Sequence, residues 1–500
     1  MPAPSGTNSA YNELRDRFAR MAHLGGAAAI LEWDSQTMMP EGASEARGEI
    51  IATMRALGHA MLTDQAIKQL LDAAEGESLD GWQRANLNEM RRDWIHAAAI
   101  PERTVEAFTL ACSATERAWR TARPASDFAA VRGPLTELLR VTREIAAIKG
   151  QALGLTPYDA LLDYNEPGAR SPALDALFAD YAAFLPGFLV EVSKHQPASM
   201  AAPKGPFPIE QQRALGVEMM GKMGFDFHYG RLDISRHPFM SGTPDDARIT
   251  TRYDEDDFVR SLMGVLHETG HALYELGLPK GWRNQPVGRP RSAGVHESQS
   301  LIMEMQACRS KGFIAYLAPI AARTFGRAGE NGWDGATLWN AMMRVQPSFI
   351  RVDADEVTYP AHVILRYRLE KALVGGELEI ADLPSAWNGG MRELLGITPP
   401  NDRLGCLQDI HWYAGAFGYF PSYTLGAMMA AQLFDAARRS TPALEASLAE
   451  GNFTPLREWL RAHVHGLASR YTSAELLRRA TGRPLDAGIF KTHLRNRYLS

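Results

Sequence analysis

The chain has few cysteines and no long apolar run. Of its 500 residues only three are cysteine, and these are widely spaced. A set this sparse and odd in number does not form a disulfide framework and indicates a reducing compartment. The first residues lack the basic segment followed by an apolar segment that marks a signal peptide. Apolar stretches such as residues 425–434 are far shorter than a membrane span, so we expect a cytoplasmic protein without a membrane partner.

An excess of charge of one sign is also missing. The 53 lysines and arginines nearly balance the 58 aspartates and glutamates, which gives a formal net charge of -5. The sequence therefore offers no electrostatic reason to expect nucleic acid as a partner. It also shows no repeat of fixed period, which argues against a helical solenoid.

Most of the chain has apolar residues every three or four positions with charges between them, which predicts a mainly α-helical fold. The segments before residue 200 with this pattern are 11–31, 48–71, 82–99, 104–119, 129–150 and 172–194. We interpret residues 1–500 as one domain. Within it, residues 1–200 form an N-terminal helical subregion and residues 209–500 form the subregion that carries the chemistry.

The spacing changes from helical to strand-like after residue 223. Phe225, Phe227 and Tyr229 alternate with polar residues, and residues 248–253 are a second strand candidate. This predicts a small antiparallel β-sheet immediately before the most informative segment. The second strand could offer its edge to an extended peptide, which would suit broad specificity.

The sequence HETGH occupies residues 267–271, inside a predicted helix. Residues four apart share a helix face, so His267 and His271 can both point a ring nitrogen at one metal ion. Glu268 projects from the neighbouring edge, where it can reach a metal-activated water without binding the metal itself. The pattern predicts a metal site with Glu268 as general base.

A hydrolytic metal site needs three protein ligands and one open position. The nearest downstream candidates are His296 and Glu297, at the start of a further predicted helix (297–313). Either could complete the site, and we prefer Glu297. Glu304 lies seven residues later on the same helical face, where it could orient a ligand imidazole, or be an ordinary carboxylate at the edge of the core. His296 is then a second supporting residue.

At this point the sequence resembles the carboxypeptidase Taq family of metallocarboxypeptidases. Besides HETGH at 267–271 and HESQS at 296–300, it carries three further signatures in the order that the family shows. They are DARIT at 246–250, IRVDAD at 350–355 and GCLQDIHW at 405–412. The segments 33–42 and 418–426 are also similar to the family, so the resemblance covers essentially the full length.

The resemblance implies a large, mainly helical, cleft-shaped (saddle-like) fold related to neurolysin and angiotensin-converting enzyme, usually assembled as a homodimer. It implies His267, His271 and Glu297 as ligands of one zinc ion per chain, with cobalt as a possible substitute. It also implies Glu268 as the catalytic acid and base. The expected activity is the removal of single residues from peptides that have a free C-terminus.

Recognition of a C-terminal carboxylate suits arginine, whose planar fork can donate two parallel hydrogen bonds. Arg248 and Arg351 each lie in a family signature, and we predict that they bind the substrate, with Arg351 the stronger candidate. The alternative for Arg248 is an ion pair with Asp246. The alternative for Arg351 is an ion pair with Asp353 or with Asp355.

The tetrahedral oxyanion of peptide hydrolysis needs a hydrogen-bond donor besides the metal. Tyr423 and His411 are the candidates, and Tyr423 is predicted to lie on a loop that enters a helix. His411 could equally be a packed imidazole bonded to Asp409 or Gln408.

His237 precedes the second predicted strand and could line the substrate cleft.

Two other functions stay open at this stage. A zinc-dependent oligopeptidase would use the same ion and cut elsewhere in the peptide. A non-catalytic helical scaffold would normally hold zinc with four protein ligands, whereas this sequence offers three.

Overall fold

The computed structural model describes residues 9–197 and 202–499. The described chain is about 70% helical, which confirms the predicted helical class. The helices in chain order are α1 Ala10–Thr37, α2 Ser44–Thr63, α3 Gln65–Ala74, α4 Gly81–Ala98, α5 Glu102–Ala125, α6 Phe128–Leu153, α7 Pro157–Asn165, α8 Ser171–His195, α9 Ile209–Met223, α10 Phe258–Gly277, α11 Ala293–Leu301, α12 Lys311–Thr324, α13 Gly335–Met342, α14 Tyr359–Gly375, α15 Leu383–Leu395, α16 Pro421–Ser440, α17 Leu444–Ala449, α18 Thr454–His463, α19 Ser473–Thr481 and α20 Ala487–Tyr498.

Five of the six predicted N-terminal segments are single helices, and one prediction was wrong. The segment 48–71 is divided between α2 and α3, because Asp64 adopts an extended conformation (φ -54°, ψ 133°). The Asp64 side chain accepts a hydrogen bond from the backbone N–H of Ala66 and so caps the second helix. Periodicity alone does not reveal such a cap inside an apolar pattern.

The chain buries its apolar residues in one large core and two smaller ones. The large core extends from Ala111 to Leu494 and includes residues of α10, α14 and α16. A separate small core joins α1, α3 and α4, while α2 buries none of its residues. The division near residue 200 stays a prediction, because residues 198–201 lie outside the described part of the chain.

The β-sheet has three strands, β1 Gly230–Ile234, β2 Phe239–Thr243 and β3 Asp246–Thr251, in the order β1-β3-β2. It is mixed rather than antiparallel as predicted, because β1 pairs parallel with β3 and only β2 pairs antiparallel with it. As the central strand, β3 has no free edge to offer a peptide. The prediction of a peptide-binding edge on β3 was therefore wrong.

The alternating aromatic segment 225–229 is a turn rather than a strand. The Asp226 side chain accepts from the backbone N–H of His228, and the Asp226 carbonyl accepts from Tyr229. Phe225 is buried below Gly230, where a Cβ atom would lie 2.3 Å from the Ala247 carbonyl oxygen. Strand β1 therefore begins at Gly230, after the turn, where the backbone approaches Ala247 of β3 closely.

Among the described residues, one helix, α8, is long and apolar enough to cross a membrane by length and composition alone. Leu174, Phe178, Tyr181 and Leu185 are buried in the large core at a spacing of three or four residues. This spacing is typical of a helix that packs one face against a protein core.

Candidate metal centre and substrate cleft

A cleft with a volume of about 1690 Å³ opens beside α10 and α11. The sequence-predicted site residues that line it are His237, His267, Glu268, His271, His296, Glu297, Glu304, Arg351, His411 and Tyr423. Residues from distant parts of the chain therefore meet at one site. Arg248 is the one predicted site residue that does not line this cleft.

Two helices bring the predicted metal ligands together. The ligand atoms of His267, His271 and Glu297 all lie within 4.8 Å of one another. Glu297 Oε2 is 3.8 Å from His267 Nε2 and 3.6 Å from His271 Nε2. Two imidazole nitrogens and one carboxylate are the donor set of a catalytic zinc site that keeps a position open. The residues present therefore fit a divalent transition-metal ion, and we call these three residues the metal centre.

Glycines allow the ligand helices to approach this closely. A Cβ atom on Gly270 would lie 2.6 Å from the carbonyl oxygen of Gln299 and 2.6 Å from Ser300 Cα. Likewise, a Cβ atom on Gly426 of α16 would lie 2.7 Å from Cβ of Glu297. The backbones of α10 and α16 thus pack directly against α11, and this fixes the position of the Glu297 carboxylate.

The outer nitrogen of each ligand histidine has a partner. Glu304 Oε2 lies 2.9 Å from His267 Nδ1, and Arg309 donates to the other Glu304 oxygen at 3.0 Å. His296 Nδ1 lies 2.6 Å from His271 Nδ1. Both contacts leave the Nε2 atoms to face Glu297, so Glu304 and His296 stand where residues that orient ligands are required.

The helix predicted at 297–313 is interrupted behind the metal centre. It consists of α11, a π-helical segment Ile302–Ala307 and a turn before α12. A π-helical segment contains an extra residue per turn and is frequent at functional sites. Glu304 lies within this segment and reaches His267 from it.

Electrostatics at the metal centre favour proton transfer by Glu268. Burial raises the pKa of the Glu268 carboxyl to about 7, close to the value that a general acid and base needs at neutral pH. Burial lowers the pKa of His267, but the nearby Glu297 and the hydrogen bond with Glu304 outweigh it and raise that pKa to about 10. The acidic surroundings therefore favour a cation at this position.

Arg351 lies in a second group of charged residues on the cleft wall. Its guanidinium pairs with Asp409, with Nη2 2.8 Å from Oδ1, and its Nη1 donates to the Tyr359 hydroxyl at 2.8 Å. The proposed ion pairs of Arg351 with Asp353 or Asp355 are not formed. Asp353 pairs with Arg260 instead.

Asp355 caps the start of α14 by accepting from the backbone N–H groups of Val357 and Thr358.

The sequence did not single out Arg366, which completes this group. It is fully buried, and its Nε donates to Asp409 Oδ2 at 2.7 Å. One carboxylate is therefore shared by two guanidinium groups. We call Arg351, Arg366 and Asp409 the arginine cluster.

Tyr423 and His411 are in contact beside the arginine cluster. Tyr423 lies in the first turn of α16, not on a loop as predicted, and its hydroxyl is 3.2 Å from His411 Nε2. The other ring nitrogen of His411 is 3.9 Å from Asp409 Oδ1, too far for a hydrogen bond. Gln408 is also not a partner, because its amide donates to the carbonyl of Phe349.

The comparisons with known proteins agree with this geometry. The model of the carboxypeptidase Taq (M32) metallopeptidase family matches residues 13–498. The chain belongs to this family.

Relatives of this member of the carboxypeptidase Taq family are similar over their full length. Thermostable carboxypeptidase 1 of Thermus thermophilus is 39% identical over 98% of both chains. Carboxypeptidase 1 of Bacillus subtilis is 36% identical over 97% of both. The structure of Trypanosoma cruzi metallocarboxypeptidase 1 has a TM-score of 0.96 at 40% identity. The match covers 99% of this chain and 100% of the Trypanosoma cruzi chain.

Two predicted substrate residues of this carboxypeptidase Taq family member lie in different places. Arg248 pairs with Asp246 at 2.8 Å and covers the ring of Trp33, with Cζ 4.4 Å from the centroid. Its guanidinium therefore contacts α1, outside the cleft, and the ion-pair alternative for Arg248 is the one that the structure shows. His237 lines the cleft, and burial together with Arg252 lowers its pKa.

Another buried acid lies behind this family member's cleft wall. Glu370 is fully buried and accepts hydrogen bonds from the Tyr158 hydroxyl at 2.6 Å and from Trp412 Nε1 at 3.1 Å. Arg366 and Glu370 lie four residues apart on α14, in the charged stretch 366–371, where Arg368 is exposed. The sequence offers no spacing signal that separates the two buried charged residues from their exposed neighbour, so sequence analysis had no means to find them.

Proposed function

We propose that this chain is a zinc-dependent carboxypeptidase that hydrolyses the last peptide bond of a peptide and releases single residues with broad specificity. One observation carries the proposal. A cleft lined by a two-histidine, one-glutamate metal centre also contains an arginine with free donors, Arg351. The first group suits hydrolysis, and the second suits recognition of a terminal carboxylate.

Arg351 keeps hydrogen-bonding capacity for a substrate. A guanidinium has five N–H donors. Asp409 accepts from the single N–H of Nε and from one N–H of Nη2, while the Tyr359 hydroxyl accepts from one N–H of Nη1. No other described residue accepts from the Arg351 guanidinium, so one N–H remains on each terminal nitrogen, enough for both oxygens of a C-terminal carboxylate.

In the proposed reaction, His267, His271 and Glu297 would hold a zinc ion, which would supply Lewis-acid chemistry for the scissile carbonyl and for activation of a water near neutral pH. Glu268 accepts the proton of the attacking water and passes it to the leaving amine. Burial raises the pKa of the Tyr423 hydroxyl well above its usual value, so this group keeps its proton and donates to the developing oxyanion.

Burial lowers the pKa of His411 to about 4, so its imidazole is neutral when it contacts the Tyr423 hydroxyl.

The edge strand β2 supports broad specificity. Phe239 and Met240 of this strand line the cleft, and β2 pairs with β3 on one side only. An extended peptide can add to such an edge through backbone hydrogen bonds, which do not depend on its side chains. We propose that β2 takes the part that the sequence suggested for β3.

The ion, the assembly and the compartment are further parts of the proposal. The donor set of the metal centre suits zinc, with cobalt as a possible substitute. The family resemblance supports a homodimer, which light scattering would test. The three cysteines are unpaired in the described residues, which supports a reducing cytoplasm.

Product analysis tests the proposed activity. The zinc-loaded protein is incubated with a mixed peptide library and, as a matched control, with the same peptides amidated at the C-terminus. Mass spectrometry identifies the products. We expect a ladder of one-residue losses from the free peptides and little turnover of the amides. Equal cleavage of both sets, or cuts inside the peptides, would instead indicate an oligopeptidase.

A further inference from the structure

The arginine cluster carries more positive than negative charge. Arg351 and Arg366 both pair with Asp409, at 2.8 Å and 2.5 Å. Among the described residues, no second carboxylate lies within ion-pair distance of either guanidinium. Two cations and one anion leave a net charge of +1 at the wall of the cleft.

Glu297 acts electrostatically on Arg351 from the metal centre, but it forms no ion pair with it, and in the proposed function its charge is taken by the metal ion. The other neighbouring titratable groups carry no charge that would cancel that of the cluster. Burial lowers the pKa of His362 to about 3 and that of His411 to about 4, so both imidazoles are neutral. Burial raises the pKa of the Tyr359 and Tyr423 hydroxyls, so neither is an anion.

Arg366 and Asp409 both stay charged at neutral pH. Burial lowers the pKa of Arg366 to about 10, which is still well above neutral pH. Burial raises the pKa of Asp409, but Arg366 and Arg351 outweigh it and hold that pKa well below its usual range.

Arg366 cannot touch the substrate itself. Its side chain is fully buried, and it lies behind Asp409 with Nη1 donating to the carbonyl of His362 at 2.7 Å. One face of its guanidinium covers the ring of Trp387, with Cζ 4.5 Å from the centroid. Within the described residues, its ion-pair connection to the cleft runs through Asp409 to Arg351.

We propose that Arg366 is a positioning residue that makes this site selective for an anionic terminus. Without Arg366, Asp409 would neutralise Arg351 and weaken its attraction for a second carboxylate. With Arg366 sharing Asp409, a substrate carboxylate at Arg351 completes a neutral arrangement of two cations and two anions. Charges away from bulk water interact more strongly than charges in it, so the uncompensated positive charge attracts a substrate carboxylate more strongly here than it would at an exposed surface.

This proposal rests on the proposed function, because it assumes that Arg351 receives the C-terminal carboxylate. The test is therefore a binding measurement that needs no turnover. N-acetyl-phenylalanine, a product-like free acid, and its amide are titrated into the zinc-loaded protein by calorimetry. The wild-type protein should bind the acid more tightly than the amide, and absence of this preference would contradict the assignment of Arg351.

Arg366→Gln removes the extra charge and leaves the substrate-facing residues in place. We expect the dissociation constant of the acid to rise roughly ten- to hundredfold, the size expected for loss of a charged partner in a buried cluster, with little change for the amide. In kinetics, the same variant should raise KM for free peptides more than it lowers kcat. An unchanged preference for the acid would overturn the proposal.

Two further variants separate charge from packing. Arg366→Lys keeps the charge and should keep most of the preference for the acid, so it also serves if Arg366→Gln does not fold. The double variant Arg366→Gln/Asp409→Asn returns the net charge to +1. It should bind the acid more tightly than Arg366→Gln alone, although it loses one more native ion pair. Loss of the preference in both variants would show that geometry rather than charge sets it, and would overturn the proposal.

Discussion

The metal centre and the arginine cluster meet at one cleft, which the three metal-centre residues and Arg351 line, and they are built in opposite ways. The metal centre takes two ligands from a single turn of α10 and the third from α11, the next helix along the chain. The arginine cluster takes its members from a short turn before α14, from α14 itself and from a loop before α16. The first is encoded largely by local spacing, and the second depends on the tertiary fold.

This difference determines how charge is compensated. At the metal centre, Glu297 and Glu304 both lie beside His267, and Arg309 compensates Glu304, so the Glu297 carboxylate supplies the negative charge that a bound cation neutralises. At the arginine cluster the excess is positive, and an anion neutralises it. The proposed function thus assigns a cation to the metal centre and the C-terminal carboxylate of the substrate to Arg351, both on the same cleft.

Glu268→Gln should separate chemistry from metal binding most sharply. The variant loses the general base while His267, His271 and Glu297 stay unchanged, so kcat should fall by about 10³-fold with the metal content unaltered. Turnover of a free peptide and elemental analysis of the same preparation measure the two effects. Glu137→Gln, on the exposed surface of α6 where Glu137 pairs with Arg140, is a control of equal chemistry away from the metal centre. Full activity in Glu268→Gln would contradict its role as the base.

Arg351→Gln tests the proposed binding of the substrate carboxylate by Arg351. We expect kcat/KM for free peptides to fall by about 10²-fold, because a bidentate contact to the carboxylate is lost, while bound zinc is unchanged. Arg351→Lys keeps the charge without the planar fork and should recover only part of the activity. If both variants process free peptides as the wild type does, the carboxylate is bound elsewhere.

The sequence predicted the metal centre better than the arginine cluster for a physical reason. Helical periodicity places His267 and His271 on one face, so the four-residue spacing in the sequence is enough to predict that their side chains lie side by side. The meeting of Arg351 with Asp409 follows from the packing of elements 58 residues apart, and no local rule gives it. The sequence-based alternatives, Asp353 and Asp355, were chosen because they are near Arg351 in the chain, and the structure pairs Arg351 with the distant Asp409 instead.

The errors in the fold have the same origin. The segment 225–229 alternates like a strand, but an Asp226-centred turn and the close approach at Gly230 decide its structure. The parallel pairing of β1 with β3 depends on the connection through β2, which the alternation of side chains does not report. Long amphipathic helices such as α1, α4, α6 and α8 were predictable, because their pattern repeats over many turns.

Glu304→Gln tests how strongly the surroundings of the metal centre support its ligands. The carboxylate contacts His267 Nδ1 and is held by Arg309. Loss of its charge should weaken metal affinity by about tenfold, a smaller effect than loss of a ligand. Competition with a chelator measures this affinity, with Glu137→Gln on the exposed surface of α6 as the matched control. Equal affinity in Glu304→Gln and the wild type would show that Glu304 is only a carboxylate at the edge of the core.

Glu370→Gln should give the smallest effect, on stability, and it concerns the wall behind the arginine cluster. Burial raises the pKa of Glu370 to about 7, so the folded protein holds this proton more tightly than the unfolded chain does. The resulting stabilisation is complete below pH 4.5 and is lost as the pH rises towards 7. Relative to Glu370→Gln, which cannot ionise, the wild type should lose on the order of 2 kcal/mol of unfolding free energy between pH 5 and pH 8. Denaturant unfolding at both values measures the difference, and parallel pH profiles for the two proteins would contradict a neutral Glu370 behind this wall.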